Sequence, residues 1–159
     1  MVYNVKKQGN YYKALLRNLE KQSGLKPKKV IKKAKSKKWI KKGDLFQTSW
    51  GYDQTNYDFV VVDKVSPSGK TAVCRRAAYD HVGFSGQCNI QKPKAKGYGK
   101  SFRLQVRKPG GKHCYGSDVA LAGSYIFCGD EDSTSKRKDY FSKVKKGEKF
   151  FETDSQFGH

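Results

Sequence analysis

The first 42 residues carry 15 Lys and Arg and a single acid, Glu20. A segment of that charge density repels itself and holds too little apolar surface to build a core alone. One stretch within it is patterned for burial. Tyr12, Leu15, Leu16 and Leu19 recur at i, i+3, i+4, i+7, and Lys13, Arg17 and Lys21 fall on another face. Asn10 reads as the N-cap and Gly24 as the stop, which predicts an amphipathic helix that packs through its leucines. From Lys26 to Lys38 the chain is mostly lysine, and like charges at i, i+4, such as Lys28 with Lys32, oppose a helix. That stretch is read as a basic arm, after which Trp39 and Ile40 re-enter a core. Residues 1–42 are therefore taken as a helix plus arm and 43–159 as the folded body.

The body holds the remaining 19 basic residues and 13 acids. Its pattern is β. Leu45 to Ser49 and Tyr57 to Val65 read as strands, and Ser66-Pro67-Ser68-Gly69 supplies turn chemistry before a return strand from Lys70 to Ala78. Residues 80–100 are rich in Gly and Lys and read as a long loop. In Ser101 to Arg107 the alternation puts Phe102, Leu104 and Val106 inside and Arg103 and Arg107 outside. Ser124 to Cys128 is another strand, and the segment from 139 onward reads as a last short helix or strand. No internal repeat is evident. The fold class is α+β, mainly β: a small twisted antiparallel sheet or partly open barrel, with the N-terminal helix and basic arm attached.

Some chemistries find no support in the pattern. Ser68-Gly69-Lys70-Thr71 resembles the end of a phosphate loop, but Lys64 stands where that motif needs Gly, so the segment is read as a hairpin turn. Cys74, Cys88, Cys114 and Cys128 contain no Cys-x-x-Cys knuckle. Reduced thiols are the simplest reading, with Cys74 and Cys128 as core residues; zinc or two disulfides stay open as alternatives. No cofactor motif is present. No apolar run approaches the roughly 18 residues of a membrane span, and no secretory signal opens the chain, which reads as cytoplasmic.

The densest group of chemically capable side chains is Ser49-Trp50-Gly51-Tyr52-Asp53-Gln54-Thr55-Asn56-Tyr57-Asp58-Phe59. Amides can pair with a base edge and aromatic rings can stack on bases. The same residues also suit a structured turn in which Trp50 plugs a barrel end. The run from Gly43 to Phe59 resembles a signature of small uncharacterised proteins of bacteriophages and other mobile elements, which share a Trp-Gly-Tyr-Asp-Gln-Thr-Asn core followed by Asp-Phe and a valine-rich strand. The likeness covers about 20 residues, and Val60 stands here where an aromatic follows in that pattern. It implies a phage or mobile-element origin, in a host cytoplasm, and no catalytic chemistry.

The net charge of +20 points to a polyanion, and nucleic acid is the commonest one in a cell. The candidate phosphate contacts are Lys26, Lys28, Lys29, Lys32, Lys33, Lys35, Lys37, Lys38, Lys41, Lys42, Arg103 and Arg107, with Arg75 or Arg76 extending a basic sheet face. The candidate base contacts are Trp50, Tyr52, Gln54, Asn56 and Tyr98. Lysines act as point charges, so the expected binding is phosphate-led with weak sequence preference. Two alternatives belong to other classes. One is an inhibitor that occupies a host defence nucleoprotein complex. The other is a metal-dependent nuclease using His81 or His113 as base and Asp53 or Asp58 as ligand. No diagnostic spacing supports an enzyme.

Overall fold

The computed structural model describes residues 5–22, 39–111, 118–126 and 136–157. The chain forms two compact units, residues 1–35 and 36–159. The first contains α1 (Val5–Gln22). This helix begins a turn and more before the N-cap expected at Asn10, which lies inside it. Lys21 in its last turn complements the carbonyl end of the helix dipole. Leu15, Leu16 and Leu19, the stripe singled out in the sequence, are exposed. Residues 23–38, and with them the stop at Gly24 and the lysine arm, lie outside the described residues.

The second unit contains seven strands: β1 (Leu45–Trp50), β2 (Asn56–Val65), β3 (Thr71–Ser85), β4 (Cys88–Arg107), β5 (Ala120–Ile126), β6 (Lys136–Lys143) and β7 (Phe150–Thr153). Neighbours run β3-β2-β1-β6-β5-β4-β7, and β3 also pairs with β4. All pairings are antiparallel, so β1 to β6 form a hydrogen-bonded ring and β7 adds to the start of β4. The mainly β class expected from the pattern is therefore observed. The ring is uneven, because β4 is 20 residues long and β1 only six.

Inside the ring lies one core, made by the alternate residues Phe46, Val60, Val62, Cys74, Leu104, Leu121, Tyr125 and Phe141, with Ile40 closing one end. The return of the chain to the core at Ile40 follows the sequence reading. In β2, Phe59, Val60, Val61 and Val62 are all buried. A continuous apolar run means that both faces are covered, and here Phe59 and Val61 join Ala77 and Phe150 in a second cluster outside the ring. Cys74 is fully buried in the first core, and burial pushes its thiol up to about 12.

Residues 80–100 are not a loop. They form the distal half of a β3–β4 hairpin that extends to Ser85 and turns through Gly86. Gly and Lys content suggested a loop, but Lys92, Lys94 and Lys96 are exposed strand positions at a spacing of two. Register shifts near Arg76, Tyr79 and Gly83 bend this ribbon. β5 starts at Ala120, four residues before the expected strand, while Phe127 and Cys128 lie outside the described residues. The end of the chain forms two strands, β6 and β7.

The hairpin meets β7 through a buried polar contact. Gln91, fully buried, donates from Nε2 to Glu152, and the Tyr57 amide donates to Glu152 Oε1 at 3.4 Å. Burial is the main cause that raises the Glu152 pKa above its usual 4.5. The folded state thus holds this proton more tightly than the unfolded chain, and stability falls as pH rises through the window above 4.5. Glu152→Gln keeps an acceptor for Tyr57 and an amide–amide bond to Gln91 without a buried charge. We expect it to raise the urea midpoint at pH 7 and to lose that advantage near pH 4, measured by equilibrium unfolding at both pH values.

Candidate nucleic-acid interface

Two turns of like sequence flank one cleft. Lys41-Lys42-Gly43-Asp44 precedes β1, and Lys145-Lys146-Gly147-Glu148 follows β6. Each is closed by a backbone bond from its fourth residue to its first, Asp44 N to Lys41 O at 3.2 Å and Glu148 N to Lys145 O at 3.1 Å. Each has Gly at positive φ in its third position, +88° at Gly43 and +80° at Gly147, as a type II turn requires. The acid caps the turn in both. Asp44 Oδ2 accepts the Lys41 amide at 3.0 Å, and Glu148 Oε2 accepts the Lys145 amide at 2.7 Å. The carboxylates face their own backbone, and the lysine pairs are exposed at the turn tips.

The ring brings the turns together. Phe46 pairs with Lys143 and Gln47 with Ser142, and the Val144 amide donates to Leu45 O at 2.9 Å. Across this seam Lys143 Nζ lies 3.1 Å from Asp44 Oδ2. One cleft of about 510 Å³ is lined by Trp39 to Lys42, Asp44, Asp63, Lys64, Val65 and Lys143. A neighbouring cleft of about 320 Å³ is lined by both turns together with Lys92 and Pro93. The clefts share Asp44 and Lys143, and together they bring seven lysines against three carboxylates. All three acids are engaged: Asp44 and Glu148 as above, and Asp63 by the Arg75 guanidinium at 2.6 and 3.0 Å. That hydrogen-bonded partner lowers the Asp63 pKa, with a smaller push from Lys42. Such a groove concentrates positive potential along a path open to solvent.

The residues singled out from sequence are placed as follows. Lys41 and Lys42 lie in the groove, while Lys26, Lys28, Lys29, Lys32, Lys33, Lys35, Lys37 and Lys38 lie outside the described residues. Arg103 and Arg107 are on the outer face of the ring, on β4. Arg75 and Arg76 do not extend that face as free cations. Arg75 is tied to Asp63, and Arg76 points to the ring interior, where it pairs with Asp58 at 2.6 Å. The sequence reading did not identify Lys64, Lys92, Lys143, Lys145 or Lys146. The recurrence of the Lys-Lys-Gly-acid tetrad is a signal that finds two of them, Lys145 and Lys146.

The Trp50–Asn56 segment is a tight turn. Gly51 has φ +130°, and a Cβ there would sit 1.9 Å from the Gln54 carbonyl oxygen. The turn is fixed to β7 by Thr153 N to Thr55 O and Thr55 N to Thr153 Oγ1, both 2.9 Å. Trp50 is half-buried under the Arg137 guanidinium, 5.7 Å from its ring centre, and Tyr98 carries Arg76 at 5.9 Å. Gln54 and Asn56 are half-buried, and Asn56 pairs with Trp50 at the start of β2. Tyr52 alone among these stands clear, at 99% exposure. Asp58 accepts from Arg76 on Oδ1 and from the Tyr125 hydroxyl on Oδ2 at 2.7 Å, so both its oxygens are engaged. Burial and the bond to Asp58 raise the Tyr125 pKa. Among the described residues no group of three His, Cys, Asp or Glu is placed to hold a metal ion.

Comparison with protein-family models, with curated proteins and with solved structures gives no match for this chain.

The ion pair at Asp58 is inside the ring, with side-chain exposures of 17% for Arg76 and 6% for Asp58. Removing one partner of such a pair strands a charge. Asp58→Ala is therefore expected to cost about 3–5 kcal/mol in urea unfolding. Tyr125→Phe, which removes one hydrogen bond to the same carboxylate, should cost only about 1–2 kcal/mol.

Proposed function

We propose that this protein binds nucleic acid, with the phosphate backbone lying along the groove between the two lysine turns. The observation that carries the reading is the pair of acid-capped turns. Each spends its carboxylate on its own backbone and presents two lysines on a fixed scaffold. Fixed cations lose less freedom on meeting a phosphate than lysines on a mobile chain would. Trp39 and Ile40, which line the first cleft, directly follow the lysine-rich stretch 26–38 in the sequence. Lysine contacts carry no base information, so the binding is phosphate-led and weakly sequence-selective. The resemblance of residues 43–59 to phage and mobile-element proteins adds an origin to this proposal and no chemistry.

Salt dependence tests it. Each phosphate contact contributes about 0.9 to the slope of log affinity against log salt on duplex DNA. Replacing Lys42, Lys64, Lys145 and Lys146 with Gln should flatten that slope by roughly three to four, read by fluorescence anisotropy from low to physiological salt. A slope that does not change would move the contacts off the groove. A protein freed of copurifying oligonucleotides that binds neither DNA nor RNA at low salt would overturn the reading itself.

A further inference from the structure

A second cationic surface lies on the outer face of β4, β5 and β6, separate from the lysine turns. Register defines its rows. Thr71, Gln105, Ala122 and Tyr140 are successive partners across four strands, and Arg107, Ala120, Ser142 and Gln47 form the next row. Partners directly opposite one another share a face. On β5 that face carries Ala120, Ala122 and Ser124 before Ile126 ends the strand, so most of the middle strand is a trough between larger side chains. The groove measures about 490 Å³ and is lined by Gln105, Arg107, Ala122, Lys138 and Tyr140, and by Gly123 and Asp139. Among the described residues Asp139 is the only acid lining it. It faces Arg137 at 3.2 Å and accepts the Tyr140 amide at 2.9 Å. Arg103, Arg107 and Lys138 form no ion pair among the described residues, and the Arg107 Nε is buried without a hydrogen-bond partner among them. Tyr140 is 41% exposed.

We propose that this face takes a single strand of nucleic acid, with an unpaired base against Tyr140 and its flanking phosphates on Arg103, Arg107 and Lys138. A trough floored by Ala and Ser admits a flat base edgewise to the sheet. The Gln105 amide, two strands from Tyr140 in the same row with Ala122 between them, can donate to and accept from that base. The aromatic ring distinguishes this surface from the lysine turns. A tyrosine face stabilises an unstacked base and gives little to a base already stacked within a duplex. The proposal rests on the reading of the protein as a nucleic-acid binder and adds the form of nucleic acid preferred by one surface.

The test compares labelled oligothymidine and oligouridine of about 20 nucleotides, a length that covers one or more sites of this type, with a duplex of equal length. Tyr140→Ala should weaken binding to the single strands about tenfold and leave duplex binding unchanged. Tyr140→Phe should keep the wild-type value, and Tyr140→Leu, of similar bulk without a ring, should match the Ala variant. Arg103→Gln with Arg107→Gln should flatten the single-strand salt slope by about 1.4. Far-UV circular dichroism of each variant establishes that the fold is kept. Equal loss on duplex and single strands, or no loss on either, overturns the assignment of this face while leaving nucleic-acid binding in place. Binding to none of the three ligands by the unsubstituted protein overturns both readings.

Discussion

The arrangement of this molecule depends on a short seam. β1 and β6 share two residue pairs and one flanking backbone bond, yet that contact closes the ring. Antiparallel pairing puts the start of one strand beside the end of the other. The segment entering β1 and the segment leaving β6 are both Lys-Lys-Gly-acid turns, so closing the ring sets them next to each other. Without the seam, two tetrads about a hundred residues apart in sequence would have no reason to meet. The Asp44–Lys143 pair lies across the same seam, where the Asp44 side chain is 9% exposed. A partly buried pair of this kind is screened less by salt than a surface pair.

Bringing lysines together costs free energy, and the structure limits that cost by its placement of acids. Asp44 and Glu148 are bound within their own turns and Asp63 is held by Arg75. Each carboxylate reduces the local repulsion, but it is turned from solvent toward a donor. The excess charge is left at the turn tips. A surface built in this way is more repulsive alone than with a polyanion present, so stability and phosphate binding are linked in sign: a ligand that neutralises the lysines stabilises the fold that gathers them. Inside the ring the logic is reversed. Asp58 pairs with Arg76 through one oxygen and accepts from Tyr125 through the other, so the buried carboxylate is satisfied, whereas Arg76 Nε and Nη1 are buried with no hydrogen-bond partner among the described residues.

Part of this was legible in the sequence. The β2–β3 hairpin follows from a β-branched run ending in Ser-Pro-Ser-Gly, and Gly69 adopts the positive φ (+70°) that such a turn uses. The alternation of Phe102, Leu104 and Val106 against Arg103 and Arg107 placed β4 in the ring with its arginines outward. The distal hairpin was hidden because its residues are those of loops. Lys92, Lys94 and Lys96 alternate with Pro93, Ala95 and Gly97, so the usual apolar member of the period is missing. Its strand state comes from pairing with β3 and β7, which no local window contains. The lysine turns failed to stand out for another reason. Each tetrad is an ordinary turn by composition, and only their shared pattern and the ring closure make them one surface. Tyr140 was likewise not singled out, since nothing local told it from Phe141, which is buried beside it on the opposite face.

β6 connects the two cationic surfaces. Its outward residues Lys138, Tyr140 and Ser142 belong to the sheet face, and Lys143 at its end lines both clefts. Three residues of strand separate Tyr140 from Lys143, a rise of about 10 Å. On the proposed reading, a polyanion held at the turns therefore has an anchor within reach of the aromatic face without any change in the protein. Two modest sites joined by a rigid strand then act together. Occupation of one places the next stretch of the same polymer near the other at high effective concentration, which raises overall affinity beyond that of either site. The rigidity matters here, because β6 is paired along its length with β5, and a separation fixed by a hydrogen-bonded ladder does not have to be found anew at each encounter.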